Sequence, residues 1–485
     1  MRDMVVLMNL NSAACRSIAR KLRAEHIYCK ILPADAAASA ILEQEALGIV
    51  LAGGSTGEPA AIPQLSGLMS CGLPLLGMGD AALTLCTALG GFLGVKAPEP
   101  GLRQVRFEDG DPLTAEVEAG ERYFPACRAT ILPDTCRAIA TAEEGALGFR
   151  LLEKPVDGLA FLPEQNDPDG ARLMINFCKS VCGCTLWWSD HAFLERAKEE
   201  IDRLSQGGEA LCALSGGVDS GVCALLGTMA LGHRLHCLFI DTGLLRKGEA
   251  DEVLAIYRDE LGLNVRLVNA QEEFLAALRG VTDPTEKESV IYGLMHQILE
   301  REAAAIPGLR LILRGTNYSD TLEPPARFTP PGSQVQLIEP VRELFKDEIR
   351  RVGEELQLPP AITQRQPFPG TGLALRILSE VTEDKLALLR EADDVFRREI
   401  EASAQNKRMW QYFASLADNP VPGVGGYVVT LRAVQGVDGA AAMPSRLPYD
   451  LLERVTQTIL SRLPGVRRVL YDCTPSESYA RIEWH

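Results

Sequence analysis

The stretch EALCALSGGVDSGVCA, residues 209–224, joins an apolar run to a glycine-rich turn and then to a second apolar run. Residues Glu209 to Leu214 have the length and apolar character of a buried strand, and the residues from Ser220 onward continue as a helix. Glycines let the backbone approach a phosphate closely, and the free backbone N–H groups at a helix N-terminus attract anions. The turn SGGVDS therefore predicts a phosphate-binding loop between a strand and a helix.

Loops with the G-x-x-x-x-G-K-[ST] pattern cradle the phosphates around a transferred γ-phosphoryl group. The SGGVDS loop lacks the lysine of that pattern. This difference favours pyrophosphate, bound as a leaving group, as the ligand. The alternative is an ordinary strand-to-helix turn that is capped by an Asp or Ser side chain.

Length and composition limit the class of protein. The chain has 485 residues, of which 46% are hydrophobic and 24% are charged. At roughly 100 to 200 residues per domain, two to four domains are expected. No apolar run approaches the ~20 residues of a membrane-spanning helix, and the first residues do not resemble a signal peptide. We expect a globular protein of the cytoplasm with no membrane partner.

Charge and cysteine usage exclude two further classes. The formal charge of -16 argues against nucleic acid as a partner, because a phosphate backbone requires clustered Lys and Arg. Of the 13 cysteines, only Cys178, Cys182 and Cys184 cluster in sequence, and a zinc site there has no clear fourth ligand. We therefore expect buried, reduced thiols and no zinc site.

The order of apolar segments predicts an α/β fold. Short strand-like runs alternate with amphipathic helical segments in the first half, as in doubly wound α/β domains, and a second α/β unit begins at Glu209. The Pro- and Gly-rich stretch QLPPAITQRQPFPGTGL, residues 357–373, ends that unit. The last ~115 residues mix a long helix with later strands, which indicates a smaller α+β domain.

Several segments together make the chain similar to the GMP synthetase family. SGGVDS is the signature of N-type ATP pyrophosphatases, and the neighbouring segments occur in the order found in GMP synthetases. The most distinctive are FIDTGLLRKGEADEV (239–253), IEPVRELFKDEIR (338–350), RQPFPGTGLALRIL (365–378) and the final IEWH. The resemblance implies a class I glutamine amidotransferase-like α/β domain over 1–188, an ATP pyrophosphatase parallel-sheet domain over 189–362 and an α+β C-terminal dimerisation domain over 363–485. It also implies a homodimer that forms through this last domain.

The resemblance implies a two-step amination of XMP with ATP and Mg²⁺. The substrate carbonyl oxygen attacks the α-phosphate of ATP and releases pyrophosphate, and ammonia then displaces AMP to give GMP. Asp219 is expected near Mg²⁺, and Lys346, with Asp347 nearby, is expected to neutralise the departing pyrophosphate. The other residues expected to bind ATP are Ser215, Gly216, Gly217, Val218, Ser220, Gly315 and Thr316, with Arg314 where the family has a glutamine.

The acceptor side departs from the family. The lid-like DPTEKES keeps Lys287 but has Glu288 and Ser289 where the family has basic residues, and the C-terminus offers Arg481 and Glu483 as substrate-binding candidates. The resemblance implies XMP or a close purine analogue as the acceptor, and the missing cations are expected to weaken the binding of its phosphate. The alternatives are an ATP pyrophosphatase that acts on a different acceptor, with ammonia or a sulfur donor as nucleophile, and a non-catalytic regulatory homologue.

The amidotransferase triad is also degenerate. The family's nucleophilic cysteine lies in an elbow where this chain reads PLLGMGDA, so Gly79 takes its place. Leu162 stands where the family has the histidine base, and only Glu164 of the triad remains. Glutamine hydrolysis needs a thiolate and an imidazole in contact. We therefore expect an inactive glutaminase and the use of free ammonia.

Overall fold

The computed structural model describes residues 3–97, 99–162, 170–322, 335–421, 423, 425–437 and 441–475. The chain divides into two compact units, residues 1–193 and 194–485, and both combine helices with parallel strands. The expected α/β fold class is confirmed. The three domain ranges remain predictions. Among the described residues, no helix has both the length and the apolar character needed to cross a bilayer.

Unit 1 is built on a mixed sheet whose parallel part carries a candidate site. Its strands lie in the order β2-β1-β3-β4-β11-β10-β9-β6-β7, with β5 paired to β8 and β8 paired to β10. Strands β2, β1, β3, β4 and β11 run parallel, and their mostly apolar sequences fit a sheet that is buried on both faces. The strands are β1 (Val5–Asn9), β2 (Cys29–Pro33), β3 (Gly48–Ala52), β4 (Leu75–Met78), β5 (Phe92–Lys96), β6 (Gly101–Phe107), β7 (Gly120–Phe124), β8 (Arg128–Ile131), β9 (Cys136–Ala142), β10 (Gly145–Leu151) and β11 (Val156–Leu159).

The first helix of unit 1 begins where the sequence supplies a cap. The Asn11 side chain accepts a hydrogen bond from the backbone N–H of Ala14 at 3.0 Å and starts the first helix. The helices are α1 (Ser12–Ala24), α2 (Ala38–Leu42), α3 (Leu65–Ser70), α4 (Asp80–Ala88), α5 (Gly170–Asn176) and α6 (Asp190–Ser205), the last of which continues into unit 2.

Unit 2 contains a parallel sheet of five described strands in the order β14-β13-β12-β15-β16. They are β12 (Glu209–Leu214), β13 (Leu235–Asp241), β14 (Val265–Asn269), β15 (Leu309–Leu313) and β16 (Gln336–Ile338). After β12 the chain adds β13 and β14 on one side of β12, and it then crosses to add β15 and β16 on the other side. Ligands of open α/β sheets bind at the carboxyl end of the strands where the order reverses in this way. The SGGVDS turn follows β12 and therefore lies at this switch point.

The rest of unit 2 adds an antiparallel sheet with one parallel strand. Strand β18 pairs with β17, β19 and β20, and the last pairing is parallel. A hydrophobic core extends from Leu244 and Phe274 through Phe396 to Val429, so its members lie on both sides of the predicted boundary at residue 362. The strands are β17 (Gln411–Asp418), β18 (Tyr427–Val437), β19 (Ala441–Pro444) and β20 (Val466–Tyr471).

A cap in the sequence also starts one of the helices of unit 2. Asp283 accepts from the N–H of Glu286 at 2.9 Å, and Pro284 occupies the first position of the helix that follows. The helices are α7 (Val218–Leu231), α8 (Glu249–Leu254), α9 (Gln271–Ala277), α10 (Pro284–Ala304), α11 (Lys346–Glu355), α12 (Pro360–Thr363), α13 (Glu383–Ala402) and α14 (Tyr449–Arg462).

Candidate active site

The SGGVDS turn forms a closed loop at the N-terminus of α7. The Ser220 hydroxyl accepts the N–H of Ser215 at 3.1 Å and lies 3.2 Å from the carbonyl of Gly217, and the two serine hydroxyls are 2.9 Å apart. Gly216 has φ +79°, and a Cβ atom there would stand 2.6 Å from Val253 Cγ2. This position therefore requires glycine. The loop directs the N-terminus of α7 toward the cleft, as expected for an anion site.

Asp219 and Lys346 meet in this loop. The Lys346 ammonium forms an ion pair with Asp219 Oδ2, and Lys346 is the first residue of α11. Among the described residues, Asp219 Oδ1 is buried and has no hydrogen-bond partner. A buried carboxylate oxygen without a donor is costly unless a cation or a ligand completes it. Mg²⁺ is often held by one or two carboxylates plus substrate phosphates, so the arrangement fits Mg²⁺ with Asp219 as its protein ligand.

Arg365, which also lines the neighbouring cleft, braces the SGGVDS loop. Its NH1 group donates to the carbonyl of Gly216 at 2.9 Å, and its NH2 group pairs with Glu249 Oε1. The second Glu249 oxygen accepts the backbone N–H of Arg246 at 2.8 Å. In a trans peptide the N–H points opposite to the C=O. Holding the Gly216 carbonyl therefore turns the N–H of Gly217 away from the arginine.

One face of α8 and of its continuation supports the same loop. Glu249 binds Arg365, Val253 packs under Gly216, and the Tyr257 hydroxyl lies 3.4 Å from the carbonyl of Gly217. Positions 249, 253 and 257 are four residues apart, the spacing that aligns side chains on one helix face. The segment Ala255–Glu260 is a π-helix, a local form that is frequent at functional sites. The loop is thus fixed by side chains that do not belong to it.

The loop opens into a cleft of about 320 Å³. Ser215, Gly216, Gly217, Val218 and Asp219 line one side of it, as expected for an ATP-binding loop. Ligand pockets combine an apolar lining with a few placed polar groups, and this cleft has that character. Lys346 and Arg365 supply the cations, and the apolar lining includes Leu238, Phe239, Ile240, Met295 and Phe368.

Other expected ATP-binding residues lie near the loop but do not line the cleft. Gly315 packs on the start of α7, where an added Cβ would stand 2.7 Å from the N of Ser220. The Thr316 hydroxyl donates to Glu339 Oε1 at 2.5 Å, and Ser220 closes the loop internally. Asp347 is half exposed on α11, with Arg351 NH1 3.9 Å from its carboxylate. These contacts give Gly315, Thr316 and Ser220 a structural role in the site.

The structure contradicts the expectation that Lys287 binds the acceptor. Lys287 is fully buried, and its ammonium donates to the carbonyls of Ala374, Ile377 and Ser379 at 3.3, 2.7 and 2.6 Å. Burial, reinforced by Lys385, lowers the pKa of Lys287 to about 8. An ammonium whose donors are used by three carbonyls is not available to a substrate phosphate. Lys287 instead joins the start of α10 to the segment 374–379.

Two buried arginines, not identified from the sequence, lie beside the cleft. Arg246 lies over the ring of Phe368, 4.4 Å from its centroid, and Arg376 lies over the ring of Phe413 at 4.2 Å. Both approach one carboxylate, that of Asp393, at 3.4 and 3.7 Å. Burial lowers the pKa of Arg246 to about 10, with Asp393 opposing the shift and Arg376 adding to it. Two guanidinium groups thus share one carboxylate next to a cleft-lining ring.

In unit 1, Gly79 and Leu162 lie together at a strand-to-helix elbow. Gly79 follows β4 and precedes α4, with φ +59° and ψ -128°. Strained strand-to-helix turns of this kind expose the nucleophile in elbow-type enzymes. A Cβ atom on Gly79 would stand 2.9 Å from Leu162 Cδ2, so the two positions expected to correspond to nucleophile and base are neighbours. Neither side chain can act as a nucleophile or a base.

The loop opposite this elbow closes on it. A Cβ atom on Gly79 would stand 2.0 Å from the carbonyl oxygen of Gly54, a distance that real contacts do not reach. The Asp80 carboxylate accepts the backbone N–H groups of Thr56 and Gly57 at 3.0 and 2.9 Å and the Thr56 hydroxyl at 2.8 Å. Asp80 thus holds the loop against the elbow. A cysteine at position 79 does not fit unless this loop moves.

Glu164, Arg481 and Glu483 lie outside the described residues. The three clustered cysteines lie within the described part of the chain. There, no group of three or more His, Cys, Asp or Glu side chains is arranged to hold a metal ion. Burial raises the pKa of Cys184 to about 12 and that of Cys178 well above its usual value. These thiols are therefore protonated at neutral pH.

The fold and loop define a nucleotide-binding α/β protein with a pyrophosphate-type loop at the switch point of a parallel sheet. A family model described as the GMP synthase C terminal domain matches residues 398–484. A GMP synthase [glutamine-hydrolyzing] of Caldicellulosiruptor saccharolyticus is 38% identical over 508 residues, covering 99% of each chain. The enzyme of that name in Clostridium perfringens is 36% identical over 512 residues, covering 100% of each chain. The chain therefore belongs to the GMP synthase family of ATP-dependent ligases.

Proposed function

We propose that this chain converts XMP to GMP with ATP and free ammonia, and that its glutaminase unit is inactive. The family relationship over the whole chain supports XMP as the acceptor and ATP as the activating substrate. The observation that carries the synthetase half is the Asp219 carboxylate: Lys346 contacts one oxygen, and the described part of the chain offers no hydrogen-bond partner to the other. The observation that carries the inactive half is the closed elbow at Gly79.

In the first step the C2 carbonyl oxygen of XMP attacks the α-phosphorus of ATP, and the bond to the bridging oxygen of pyrophosphate breaks. Negative charge grows on the departing pyrophosphate, which the N–H groups at the start of α7 and the Lys346 ammonium stabilise. Asp219 would hold Mg²⁺, which would supply further neutralisation of that charge. Arg365 and Tyr257 hold the carbonyls of Gly216 and Gly217, so the conformation of the loop is set before ATP binds.

In the second step ammonia attacks C2, and AMP leaves with the electron pair of the C2–O bond. The attacking nitrogen loses a proton to water or to a basic group, and the product is GMP. Only uncharged NH₃ has the lone pair for this attack. The rate at a fixed total ammonium concentration therefore rises with pH while most of the reagent is still NH₄⁺.

The charge around Arg246 and Arg376 supports an anionic acceptor. Two guanidinium groups lie near the carboxylate of Asp393 on the Phe368 side of the cleft, and Glu249 is a further acidic neighbour of Arg246. A nucleoside monophosphate carries close to two negative charges and is attracted to arginine-rich regions.

The acceptor is tested by pyrophosphate release. Protein, ATP, Mg²⁺ and ammonium are incubated with XMP, with IMP or with no acceptor, and pyrophosphate, AMP and GMP are quantified. We expect equimolar AMP, pyrophosphate and GMP with XMP only. Pyrophosphate release with another carbonyl compound, and none with XMP, would favour an ATP pyrophosphatase with a different acceptor. If none of the compounds causes pyrophosphate release, a regulatory homologue is favoured.

We further propose a homodimer that forms through the C-terminal part of unit 2. Met443, Tyr449 and Leu470 are large apolar side chains that are 51%, 81% and 43% exposed there. Large exposed apolar side chains such as these can contribute to a protein interface. Light scattering of the full-length protein tests the stoichiometry, and a monomer at micromolar concentration would contradict it.

A further inference from the structure

Asn317 contacts the same carboxylate oxygen as Lys346. Its Nδ2 atom lies 3.4 Å from Asp219 Oδ2, and the side chain is buried. It follows Gly315 and Thr316 directly in the chain, but no feature of the sequence assigned a role to it. The Asp219 Oδ2 atom therefore has a cationic donor from α11 and a neutral donor from the turn after β15.

The orientation of the Asn317 amide is fixed by its own turn. Its Oδ1 atom accepts the backbone N–H groups of Ser319 and Asp320 at 2.8 and 3.3 Å. In return, the Asn317 N–H donates to Asp320 Oδ2 at 2.9 Å. An amide oxygen accepts and an amide nitrogen donates, so two N–H donors on one side assign that atom as oxygen. The NH₂ group must then face Asp219.

The turn that carries Asn317 is packed against the phosphate-binding loop. A Cβ atom at Gly315 would stand 2.7 Å from the N of Ser220 and 2.9 Å from the carbonyl carbon of Asp219. Glycine thus permits close contact between the end of β15 and the first turn of α7. Asn317 stands two residues beyond that contact, so its distance from Asp219 is set by packed backbone.

The charges distinguish the parts played by Lys346 and Asn317. Lys346 is paired with Asp219 in this structure, yet the proposed reaction needs its ammonium on the pyrophosphate. A neutral amide is attracted to phosphate less strongly than an ammonium, so Asn317 can stay on Asp219 when Lys346 changes partner. We propose that Asn317 is a positioning residue that holds Asp219 Oδ2 so that Oδ1 receives a divalent cation. This inference rests on the proposed ATP-dependent function.

The test measures metal binding directly, without turnover. Full-length protein is titrated with Mn²⁺ in the presence of α,β-methylene-ATP, whose α–β linkage cannot be cleaved, and free Mn²⁺ is followed by electron paramagnetic resonance. The variants are Asn317→Ser and Asn317→Thr, because each keeps a side-chain oxygen that accepts the N–H of a turn. Loss of one hydrogen bond to a charged group should weaken Mn²⁺ binding roughly tenfold.

Two comparisons distinguish a loss of the positioning of Asp219 from a general distortion of the loop. Affinity for the same analogue with metal removed by EDTA should stay unchanged, whereas a distorted loop would weaken it as well. Asn269→Ser is the matched control, since Asn269 ends strand β14 and also accepts one backbone N–H, that of Gln271 at 3.2 Å. We expect it to bind Mn²⁺ as the unaltered protein does.

The results divide cleanly. Weaker Mn²⁺ binding in both Asn317 variants, with metal-free nucleotide binding intact, supports the inference. Equal Mn²⁺ affinity in the variants and the unaltered protein, or an equal loss of metal-free nucleotide binding, overturns it. Failure of the unaltered protein to bind Mn²⁺ with the analogue counts instead against the proposed function itself.

Discussion

Lys346 and Asp219 form an ion pair between residues that are 127 positions apart in the chain. The other oxygen of that carboxylate has no hydrogen-bond partner among the described residues. Asp219→Asn keeps the size of the side chain but removes the charge that attracts Mg²⁺. We expect acceptor-dependent AMP formation to fall roughly a hundredfold or more, because metal stabilisation of a transition state amounts to several kcal/mol.

The measurement for Asp219→Asn is a rate of AMP formation across Mg²⁺ concentrations, with circular dichroism as the check on folding. Asp450→Asn serves as control, because Asp450 pairs with Arg454 on the exposed surface of α14. A normal rate at millimolar Mg²⁺ in Asp219→Asn would contradict the assignment of the Asp219 carboxylate as a metal ligand.

The second prediction concerns the brace that Arg365 forms. Arg365→Lys keeps the charge in the cleft, but one ammonium cannot reproduce the planar fork that joins Gly216 to Glu249. We expect KM for ATP to rise about tenfold, within the range for hydrogen bonds to charged groups, and kcat to change less. Arg454→Lys is the surface control. An unchanged KM would show that the loop keeps its conformation without the fork.

The third prediction isolates the Tyr257 hydroxyl. Tyr257→Phe removes only the oxygen that lies 3.4 Å from the Gly217 carbonyl. We expect a rise of about two- to fivefold in KM for ATP, since one neutral hydrogen bond contributes about 0.5 to 1.5 kcal/mol. Tyr471→Phe is matched to it, because the Tyr471 hydroxyl also donates to a backbone carbonyl, that of Ser445 at 2.5 Å. Equal KM values for ATP in the two variants would show that the Tyr257 hydroxyl does not contribute to ATP binding and that Tyr257 acts through packing alone.

The fourth prediction follows from the buried ammonium of Lys287. Its pKa is lowered to about 8 in the folded protein, from a usual value of 10.5. Between these values the unfolded chain binds a proton that the folded chain does not, so this group makes stability rise with pH from about 8 to about 10.5. Lys287→Met removes that contribution.

Chemical unfolding at pH 7.5 and pH 9.5 tests the Lys287 prediction. The free energy of unfolding of the unaltered protein, relative to that of Lys287→Met, should be larger at pH 9.5 than at pH 7.5. Lys30→Met is the control, because Lys30 makes an exposed contact with Gln44. A difference that is independent of pH would mean that Lys287 titrates normally.

The fifth prediction is that restoring the two lost catalytic side chains does not restore glutaminase activity. In Gly79→Cys with Leu162→His, the new Cβ would stand 2.0 Å from the Gly54 carbonyl oxygen, and position 79 has φ +59°. The double variant should release no glutamate from glutamine and should melt at a lower temperature than Leu162→His alone. Glutamate release by the double variant would show that the loop at 53–57 opens.

The strand–turn–helix geometry of the SGGVDS segment could be predicted because its information is local. SGGVDS carries its glycines, its hydroxyls and its carboxylate within six residues, and the preceding strand fixes where they lie. Gly79 and Leu162 could also be matched, since each stands in a short family motif. The resemblance supplied Lys346, whose chemistry alone does not distinguish it from a solvated helix lysine.

The parts that could not be predicted depend on distant partners. Arg365 reaches Gly216 across 149 residues, and Lys287 reaches the carbonyl of Ala374 across 87. A lysine in the first turn of a helix suggests an exposed charge, and only the packed structure reveals the carbonyls that bind it. The four-residue spacing of Glu249, Val253 and Tyr257 was visible in the sequence, but the surface that it packs against was not.

The proposed amination uses ammonia and not glutamine. The direct measurement supplies ATP, Mg²⁺ and XMP with either ammonium or ammonia-free glutamine, and quantifies GMP and glutamate together. We expect GMP with ammonium, at a rate that rises from pH 7 to pH 8.5 with the NH₃ fraction, and neither GMP nor glutamate with glutamine. GMP formation from glutamine with an equal amount of glutamate would contradict it.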